Sequence, residues 1–451
     1  MIHIGLNPSF ADWWSRLPLF SNFLRRGPKF ELFDNNGTPT NVDAPLGQDG
    51  LPINDGHRHG LRVFGDMDGT MPFFEIQPAS CTGLIVKKND NICFVSWTGG
   101  TGLPTCVPHA GPWHQPSIDA LAALRPTVLR TLDLSRANEP FDWSKRRVRR
   151  IDPLQAQKGR GMAIEFQAAL ANKLGCHLWW NAPPRYSLSV ADYEVSLEEM
   201  LTAIKEEARL PPILEYGNEL WNTGFPVHGW LKTAAGSTTT WHTAAAFEID
   251  ILSRVAKRVF GPQQVLGKNT YFLAVCGQLT VPFHLEKLLD AVKGLGVDVD
   301  CAGPALYVTP TKADKDNWER TGHIPTQDEL RVSMNNRLAE IDSPGGVLSQ
   351  HRAICSRYSV TYFTAYEGGQ SLIAGAYPWR KAALEAQSTD WMGDLYRRIF
   401  SVAEDARINL LCWYSAMTNQ APTDIRMDVF GLLGSTDLTK MPPKALAARG
   451  D

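Results

Sequence analysis

The hydrophobic residues of this chain recur as short apolar runs separated by longer stretches with helical spacing. Eight runs are apolar at successive positions, as in parallel strands that are covered on both faces. They are Ile2–Leu6, Thr127–Leu134, His177–Asn181, Ile213–Gly217, Val265–Leu273, Val299–Val308, Tyr362–Tyr366 and Ile408–Tyr414. Eight strands that alternate with helices predict a (β/α)8 barrel, and a doubly wound open sheet is the alternative.

Between these runs, apolar residues recur every three or four positions, which predicts amphipathic helices. The predicted helices are Met162–Leu174, Leu197–Ala208, Thr243–Val259, Phe283–Val292, Asp328–Ile341 and Ala386–Ala403. Ser196 and Glu199 have the spacing of a capping box, so we expect the second of these helices to begin there. The chain has no Gly-x-Gly-x-x-Gly after its first strand and no Walker loop, so no nucleotide-binding motif supports the open sheet.

The stretch from residue 28 to residue 118 departs from this alternation, because it is rich in Gly, Pro, Asn and Asp. Asn89-Asp90-Asn91 is typical of a hairpin turn. Strand-like runs lie at Arg62–Phe64, Phe73–Ile76, Gly83–Val86 and Ile92–Ser96. We therefore predict one barrel formed by residues 1–27 and 119–451, with residues 28–118 as a β-rich insertion after the first strand.

Composition and charge narrow the classes of partner. The 451 residues include 45 Lys and Arg against 47 Asp and Glu, so no general positive field attracts nucleic acid or an anionic membrane. The basic run from Lys145 to Arg150 is interpreted as a solvated loop face. No apolar stretch approaches ~18 residues, and the N-terminus lacks the features of a signal peptide. We expect a soluble chain, with cytoplasmic, processed and virion-associated locations all left open.

The eight cysteines form no Cys-x-x-Cys pair. Four of them lie in apolar runs and are predicted to be buried free thiols: Cys176, Cys276, Cys301 and Cys412. Cys81, Cys93 and Cys106 lie close together in the sequence, so a disulfide among them stays open. With His109 and His114 they are also candidate zinc ligands, but the spacing matches no zinc signature. Neither a metal nor a cofactor is predicted.

The most informative segment is Ile213-Leu-Glu-Tyr-Gly-Asn-Glu-Leu-Trp-Asn222. A buried strand ends in Asn218 and Glu219, and residues at the C-terminal ends of barrel strands line the active site. Trp221 beside a carboxyl suits a sugar ligand, while a loop cap is the alternative for polar residues at a strand end. Glu215, earlier on the strand, is interpreted as a structural ion-pair member and ranks below Glu219.

A second strand, in Tyr362-Phe-Thr-Ala-Tyr-Glu-Gly-Gly369, ends in the carboxylate of Glu367. The two glycines after it permit a turn with no side chain between the carboxylate and a ligand. In the predicted order these are strands four and seven, so Glu219 and Glu367 face each other across the barrel. Two facing carboxyls are what glycoside hydrolysis requires, and about 5–5.5 Å separates them in retaining enzymes.

A barrel with Asn-Glu ending strand four and Glu ending strand seven resembles the clan A glycoside hydrolases, over residues 1–10 and 120–445. The resemblance implies Glu219 as acid/base, Glu367 as nucleophile and Asn218 as a hydrogen-bond partner of the sugar 2-hydroxyl. For other strands it implies that Arg130 supports the nucleophile, Tyr307 bonds to it, Trp413 forms the floor of the sugar site, and Trp180 and Asn181 contact sugar. The chain departs from some members at Ala305, where they carry a His, and in its large insertion, and both departures concern sugar specificity.

Several of these side chains have an alternative structural interpretation. Three aromatic residues are candidate stacking platforms for a sugar ring, and each equally suits packing: Trp221, Tyr366 and Trp379. Tyr307 and Trp413 also suit core positions. Two polar residues after strand two either contact the substrate or cap the loop, namely Asp133 and Asn138.

The predicted function is a retaining glycoside hydrolase that cleaves an oligo- or polysaccharide by double displacement with two Glu residues. The alternative is a non-catalytic carbohydrate-binding barrel. A serine hydrolase is not supported, because the chain has no Gly-x-Ser-x-Gly motif. The predicted partner is carbohydrate, without nucleic acid, membrane or cofactor.

Overall fold

The described part of the chain is dominated by one barrel. The computed structural model describes residues 2–8, 113–145, 147–150, 159–265, 267–373, 379–417 and 430–450. It also describes the backbone of nine short strands between residues 29 and 106. The residues of the candidate active site all lie within the ranges given first.

Eight parallel strands close into the barrel. In chain order they are β1 (His3–Asn7), β2 (Val128–Arg130), β3 (His177–Ala182), β4 (Ile213–Tyr216), β5 (Phe272–Gly277), β6 (Cys301–Pro304), β7 (Tyr362–Ala365) and β8 (Leu410–Tyr414). Strand β1 pairs with β2 on one side and with β8 on the other, from His3 opposite Leu410 to Asn7 opposite Tyr414. The predicted (β/α)8 barrel is confirmed.

Helices connect the strands and cover the outside of the barrel. They are α1 (Gln115–Ala123), α2 (Leu132–Ser135), α3 (Ile164–Leu174), α4 (Val190–Glu207), α5 (Pro226–Ala235), α6 (Trp241–Phe260), α7 (Pro282–Gly294), α8 (Lys312–Thr321), α9 (Gln327–Asp342), α10 (Val347–Arg357), α11 (Arg380–Ala386), α12 (Asp390–Asp405) and α13 (Pro443–Ala448), with a 3₁₀ turn at Leu438–Lys440. Within the described residues, no helix is both long and apolar enough to cross a membrane.

Two predicted strands are shorter in the structure than their apolar runs. The run Val299–Val308 holds β6 and then a separate strand, Leu306–Val308, which pairs with Gly368–Gln370. The run Thr127–Leu134 holds the three residues of β2 and then the short helix α2. Hydrophobicity does not mark these strand ends, because the residues that follow each strand are buried as well.

The capping box predicted at Ser196 and Glu199 is wrong. Helix α4 begins earlier, after Ser189, whose hydroxyl accepts from the backbone N–H of Asp192 at 3.1 Å. Ser196 lies inside the helix and donates to the carbonyl oxygen of Asp192 at 2.9 Å. A hydroxyl bonded back to its own helix satisfies a Ser there, so the Ser-x-x-Glu spacing alone does not locate a helix start.

Two other predicted elements are divided in the structure. The run Val265–Leu273 covers a small hairpin, Gln264–Val265 with Lys268–Asn269, and then the start of β5. The predicted helix Ala386–Ala403 consists of the end of α11 and most of α12, with Thr389 as the N-cap residue between them. Polar residues at each break end one element and begin the next.

The core has two layers, because alternate residues of a strand point to opposite faces. One cluster fills the barrel interior and includes Trp179, Cys276, Tyr366 and Cys412. The other lies between the strands and the surrounding helices. The four cysteines predicted to be buried free thiols are confirmed as such.

The strands between residues 29 and 96 include an antiparallel sheet. Its order is Pro39–Thr40, Lys29–Phe33, Gly60–Phe64, Ile92–Ser96 and Ile85–Asn89. Asn89 pairs with Ile92, so the last two strands form the predicted hairpin. The predicted run Phe73–Ile76 contributes only Ile76 to a described strand. The side chains of Cys81, Cys93 and Cys106 and all of His109 lie outside the described residues, and the insertion at 28–118 stays a prediction.

The basic run after residue 144 is balanced by acidic residues of neighbouring helices. Arg147 pairs with Glu165 of α3 at 2.9 Å and with Glu199 of α4 at 3.1 Å. Arg149 also contacts Glu199, and Arg150 pairs with Glu207, while both arginines remain about half exposed. The described arginines therefore tie the loop to α3 and α4.

Candidate active site

Polar side chains converge at the C-terminal mouth of the barrel, where the strands end. Arg130 is the last residue of β2, and Asn218 and Glu219 follow β4. Tyr307 lies just after β6, and Glu367 follows β7. All but Tyr307 are at most 8% exposed. The barrel thus brings together residues that are up to 237 positions apart in the sequence.

Arg130 is the centre of this group and is fully buried. Its guanidinium contacts Glu367 at 2.5 Å and Glu215 at 2.8 Å, and it donates to the amide oxygen of Asn218 at 2.6 Å. Its face also lies 5.0 Å from the ring of Tyr366. A buried guanidinium needs such partners for its donors, because an unpaired charge in a low-dielectric interior is costly. One cation therefore serves two carboxylates.

Glu367 is held at both carboxylate oxygens. Oε1 accepts from Arg130, and Oε2 accepts from the Tyr307 hydroxyl at 2.8 Å. Burial raises the pKa of Glu367, whereas Arg130 and the Tyr307 hydroxyl oppose that rise. These two donors stabilise the ionised carboxylate and fix its orientation.

Glu219 has different surroundings. Its Oε2 accepts from the amide of Asn222 at 2.8 Å, and the Tyr366 hydroxyl lies 3.4 Å from its Oε1. Burial and, next, the negative charge of Glu367 raise the pKa of Glu219 to about 8. The hydrogen-bond donors to Glu219 are neutral, and its raised pKa favours the protonated carboxyl at neutral pH. Between the two Glu residues, the first proton belongs on Glu219.

The backbone of Glu219 adds a second distinguishing feature. Its φ is 44°, in the left-handed region that residues with a Cβ rarely occupy. Such a conformation costs about 1–3 kcal/mol and occurs preferentially at functional sites. Gly217, two residues earlier, has a φ of 62°, so the chain turns sharply as it leaves β4. This turn directs the Glu219 side chain to the Asn222 and Tyr366 contacts.

Asn218 and Asn181 stabilise the hydrogen-bond network around Arg130 and Glu215. The Asn218 amide donates to Oδ1 of Asn138 at 2.8 Å while its own oxygen accepts from Arg130. The Asn181 amide donates to Glu215 and to the Gly217 carbonyl oxygen, each at 2.8 Å. Asn138 therefore supports Asn218 and does not act only as a loop residue.

Two tryptophans predicted to contact sugar point away from the barrel interior and toward the surrounding helices. Trp413 packs 5.0 Å from the ring of Tyr396 in α12, and its indole N–H donates to the Ala448 carbonyl oxygen at 2.9 Å. Trp180 belongs to the helix-side cluster and lies among residues of α3 and α4. Neighbouring residues of a strand point to opposite faces, so Asn181 and Trp180 cannot both face the interior.

The aromatic residues that face the barrel interior are the strand neighbours of these two tryptophans, Trp179 and Tyr414. Trp179 donates its indole N–H to Glu215 at 2.9 Å, and its ring lies 5.5 Å from the Arg130 guanidinium. Tyr414, one residue after Trp413, contacts Asp133. Alternation counted back from Asn181 identifies Trp179 from the sequence alone. The sequence prediction missed both residues because it placed the strand ends without using that alternation.

The three candidate stacking platforms differ. Trp379 is buried and packs against Trp318 of α8, with the ring centroids 6.0 Å apart. Tyr366 is fully buried between Arg130 and Glu219, so its role in the structure is to support both. Trp221 is partly exposed, and its indole nitrogen is buried without a hydrogen-bond partner in the described structure. Trp221 therefore remains the best candidate for contact with a ligand.

The glycines after Glu367 have a packing role rather than the predicted turn. Gly368 and Gly369 lie in the short strand Gly368–Gln370. A Cβ on Gly369 would lie 2.8 Å from the Tyr396 hydroxyl, and its φ is 119°. A larger residue would displace the strand that follows the Glu367 carboxylate.

Within the described ranges, no group of three or more His, Cys, Asp or Glu side chains is arranged to hold a metal ion.

Glu215 is the structural ion-pair member that the sequence analysis considered, since one of its oxygens accepts from Arg130, Trp179 and Asn181.

Comparisons with known proteins give similarity at the level of the fold. The sequence matches no protein-family model and no curated protein. Solved structures that resemble the chain include a GH51 arabinofuranosidase from Xanthomonas axonopodis pv. citri, with 14% identity, a TM-score of 0.42, and coverage of 69% of this chain and 62% of the other. A family 51 α-L-arabinofuranosidase from Bifidobacterium longum has 10% identity and a TM-score of 0.46, over 75% and 68% of the two chains.

A third similar structure is a GH5-4 broad specificity endoglucanase from Clostridium acetobutylicum, with 11% identity, a TM-score of 0.42, and coverage of 77% of this chain and 93% of the other. These solved structures are clan A glycoside hydrolases, the group that the sequence motifs resemble. This chain spans less than two thirds of the length of the Xanthomonas enzyme. At such identities and TM-scores, the likeness assigns no activity to this chain.

Proposed function

We propose that this protein is a retaining glycoside hydrolase, with Glu219 as the acid/base and Glu367 as the nucleophile. The observation that carries the proposal is the unequal environment of two buried carboxyls at one barrel mouth. Glu367 contacts a guanidinium and a phenol, which favour its ionised form. Glu219 has neutral donors and a pKa raised to about 8, which favour its protonated form. Glycoside hydrolysis needs this division between two carboxyls.

In the first step, an oxygen of Glu367 attacks the anomeric carbon of the bound sugar. The bond between that carbon and the leaving oxygen breaks, and the proton of Glu219 moves to the leaving oxygen. Arg130 and Tyr307 hold Glu367 in place before attack. The product of this step is a glycosyl ester on Glu367 and an ionised Glu219.

In the second step, Glu219 accepts a proton from a water molecule, whose oxygen attacks the anomeric carbon. The ester bond to Glu367 breaks, and its carboxylate returns to Arg130 and Tyr307. The sugar is released with its original anomeric configuration, and Glu219 is protonated again. Because Arg130 also contacts Glu215, it stays partly neutralised while Glu367 is esterified.

Hydrolysis of a panel of polysaccharides and aryl glycosides tests the proposal. Reducing ends are measured, and proton NMR follows the configuration of the first product formed. We expect one class of glycoside to be cleaved with retention, and the variant Glu367→Gln to lose about 10⁴-fold or more in kcat. A 2-deoxy-2-fluoro glycoside with a good leaving group should label Glu367, as peptide mass spectrometry would detect.

Several results would refute the proposal. An inverted product would exclude Glu367 as a nucleophile, and full activity of Glu367→Gln would exclude its role altogether. Binding of glycans by the wild-type chain without any cleavage would favour a non-catalytic protein. As a matched control, Glu248→Gln changes a buried carboxyl that pairs with Arg185 outside the mouth, and it should leave kcat nearly unchanged.

A further inference from the structure

A third buried carboxyl, that of Asp133, lies beside the two proposed catalytic residues. Asp133 is in the short helix α2, which begins directly after β2, and it is 2% exposed. It does not cap the helix, since Thr131 occupies the N-cap position. The loop-capping alternative from the sequence is therefore not what holds this side chain.

One oxygen of Asp133 has no partner. Oδ1 lies 3.5 Å from the Tyr414 hydroxyl, at the limit of a hydrogen bond. Oδ2 is buried and has no hydrogen-bond partner within the described structure. A buried polar atom left unsatisfied costs about 1–3 kcal/mol, so such an atom in a mouth calls for a ligand that satisfies it.

A series of side-chain contacts links Asp133 to Glu367. The Tyr414 ring lies 5.4 Å from the ring of Phe430, which in turn lies 5.9 Å from the ring of Tyr307. Tyr307 donates to Glu367. These contacts connect Asp133 to the proposed nucleophile along one wall of the mouth. The charge of Glu367 acts on Asp133 in the same way, since it adds to burial in raising the pKa of Asp133 to about 8.

We propose that Asp133 is a substrate-binding residue, which hydrogen-bonds through Oδ2 to a hydroxyl of the sugar ring that becomes attached to Glu367. This inference rests on the proposed glycosidase function. A protonated Asp133 offers both a donor and an acceptor, which suits a hydroxyl group. The guanidinium of Arg130 already pairs with Glu215 and Glu367, so the partner of Oδ2 is expected to come from the substrate.

Deoxy substrates test this contact directly. Aryl glycosides that each lack one ring hydroxyl are compared with the parent glycoside in the wild-type protein and in Asp133→Ala. For one deoxy position, we expect the wild type to lose about 10–100-fold in kcat/KM, the effect of one hydrogen bond to such a group. Asp133→Ala should cleave that analogue and the parent compound at similar rates. A merely structural role would lower all rates by one factor.

Asp133→Asn keeps the shape of the side chain and serves if Asp133→Ala does not fold.

The failure of this inference differs from the failure of the proposed function. If the wild type cleaves glycosides but every deoxy analogue loses the same factor in the wild type and the variants, Asp133 makes no substrate contact. If the wild type cleaves no glycoside, both proposals fall. Asp300→Asn is the matched control, because Asp300 is also buried but already accepts from Gln263, Asn269 and the Leu273 N–H. Its deoxy ratios should equal those of the wild type.

Discussion

The two ends of the barrel differ sharply in what they bury. The C-terminal mouth buries four carboxyls around one guanidinium, contributed by Arg130, Asp133, Glu215, Glu219 and Glu367. The N-terminal mouth instead contains a cavity of about 390 Å³ with a mostly apolar lining. That lining consists of His3, Thr127, Val128, Gly175, His177, Leu210, Ile213, Phe272, Cys301, Tyr362, Thr364, Asn409 and Leu410. None of these described residues is an Asp, Glu, Lys or Arg.

The change from one environment to the other takes two residues of a strand. In β4, Ile213 lines the apolar cavity, and Glu215 binds Arg130. In β2, Val128 lines the cavity, and Arg130 itself follows. Apolar burial at one end favours folding, whereas buried charge at the other end opposes it. Of the two mouths, only the one that carries the proposed chemistry buries charged side chains among the described residues.

The largest expected effect comes from removing the central cation. Arg130→Ala leaves Glu215 and Glu367 buried without their countercharge, and we expect a loss of about 3–5 kcal/mol in the free energy of unfolding. Denaturant titration measures it. Arg254→Ala is the control, since its pairs with Glu194 and Asp250 are partly exposed and contribute at most about 1 kcal/mol. Equal losses in the two variants would contradict the contrast.

The next largest effect is expected from Glu219→Gln, which should raise stability and lower activity. Glu219→Gln removes a carboxyl whose burial is unfavourable, so we expect Tm to rise by about 2–4 °C. The same change should lower kcat by about 10²–10⁴-fold, because no proton is delivered to the leaving group. Thermal unfolding and aryl glycoside hydrolysis measure the two. A lower Tm would mean that the Glu219 carboxyl stabilises the fold.

Stability should also depend on pH with a defined sign. The pKa values of Glu219 and Asp133 are about 8 in the folded chain and about 4 when unfolded. The folded chain therefore binds more protons between these limits, and stability falls as pH rises through them. His242, whose pKa is lowered to about 4 by burial, acts oppositely below its ordinary value of 6.5.

The measurement is therefore Tm from pH 6.5 to pH 8, where the histidine contributes little. Lys444, whose pKa is lowered to about 7 by burial, acts in the opposite direction above pH 7, so the wild type is compared with the two variants. The two acids should lower Tm across this range, and this contribution should be smaller in Glu219→Gln and Asp133→Asn. Hydrolysis should decline near pH 8 as Glu219 loses its proton. The same pH dependence of Tm in the wild type and in both variants would contradict the assigned sign.

The smallest effect belongs to the N-terminal mouth. Thr364 is buried there, and its hydroxyl has no hydrogen-bond partner among the described residues. Thr364→Val keeps the shape, so we expect a gain of about 0.5–1 kcal/mol in stability. Hydrolysis should not change, which contrasts with Glu219→Gln at the opposite mouth. A loss of activity would show that the two ends are coupled.

The sequence was informative about the barrel and about the residues at strand ends. Eight apolar runs predicted the eight strands, Glu219 and Glu367 were singled out by where their strands end, and Arg130 was implied by the resemblance to clan A glycoside hydrolases. Their convergence follows from parallel strands, which all end at one mouth. The roles of these residues remain predictions until they are tested by substitution.

Side-chain direction was harder to predict than strand position. Trp180 and Trp413 were expected at the sugar site, but each is one residue away from an inward-facing position. An error of one residue reverses the face of a strand residue. Asp133 was a candidate substrate contact, but its position in a helix was not predicted, because the apolar run that contains it continues from β2 into the buried helix α2. Hydrophobicity records burial and does not distinguish a strand from a short buried helix.

The pairing of β1 with β8 has a consequence for folding during synthesis on the ribosome. Asn7 donates to the Trp413 carbonyl oxygen across 406 positions of the chain. At about 5–20 residues per second, a ribosome needs roughly 20–80 s to synthesise that interval. During this time, the edge of β1 that pairs with β8 has no partner strand, and apolar residues such as Leu6 are not yet buried against it. Ring closure therefore waits until β8 has been synthesised, and we expect chaperones to contact the nascent chain before β8 emerges.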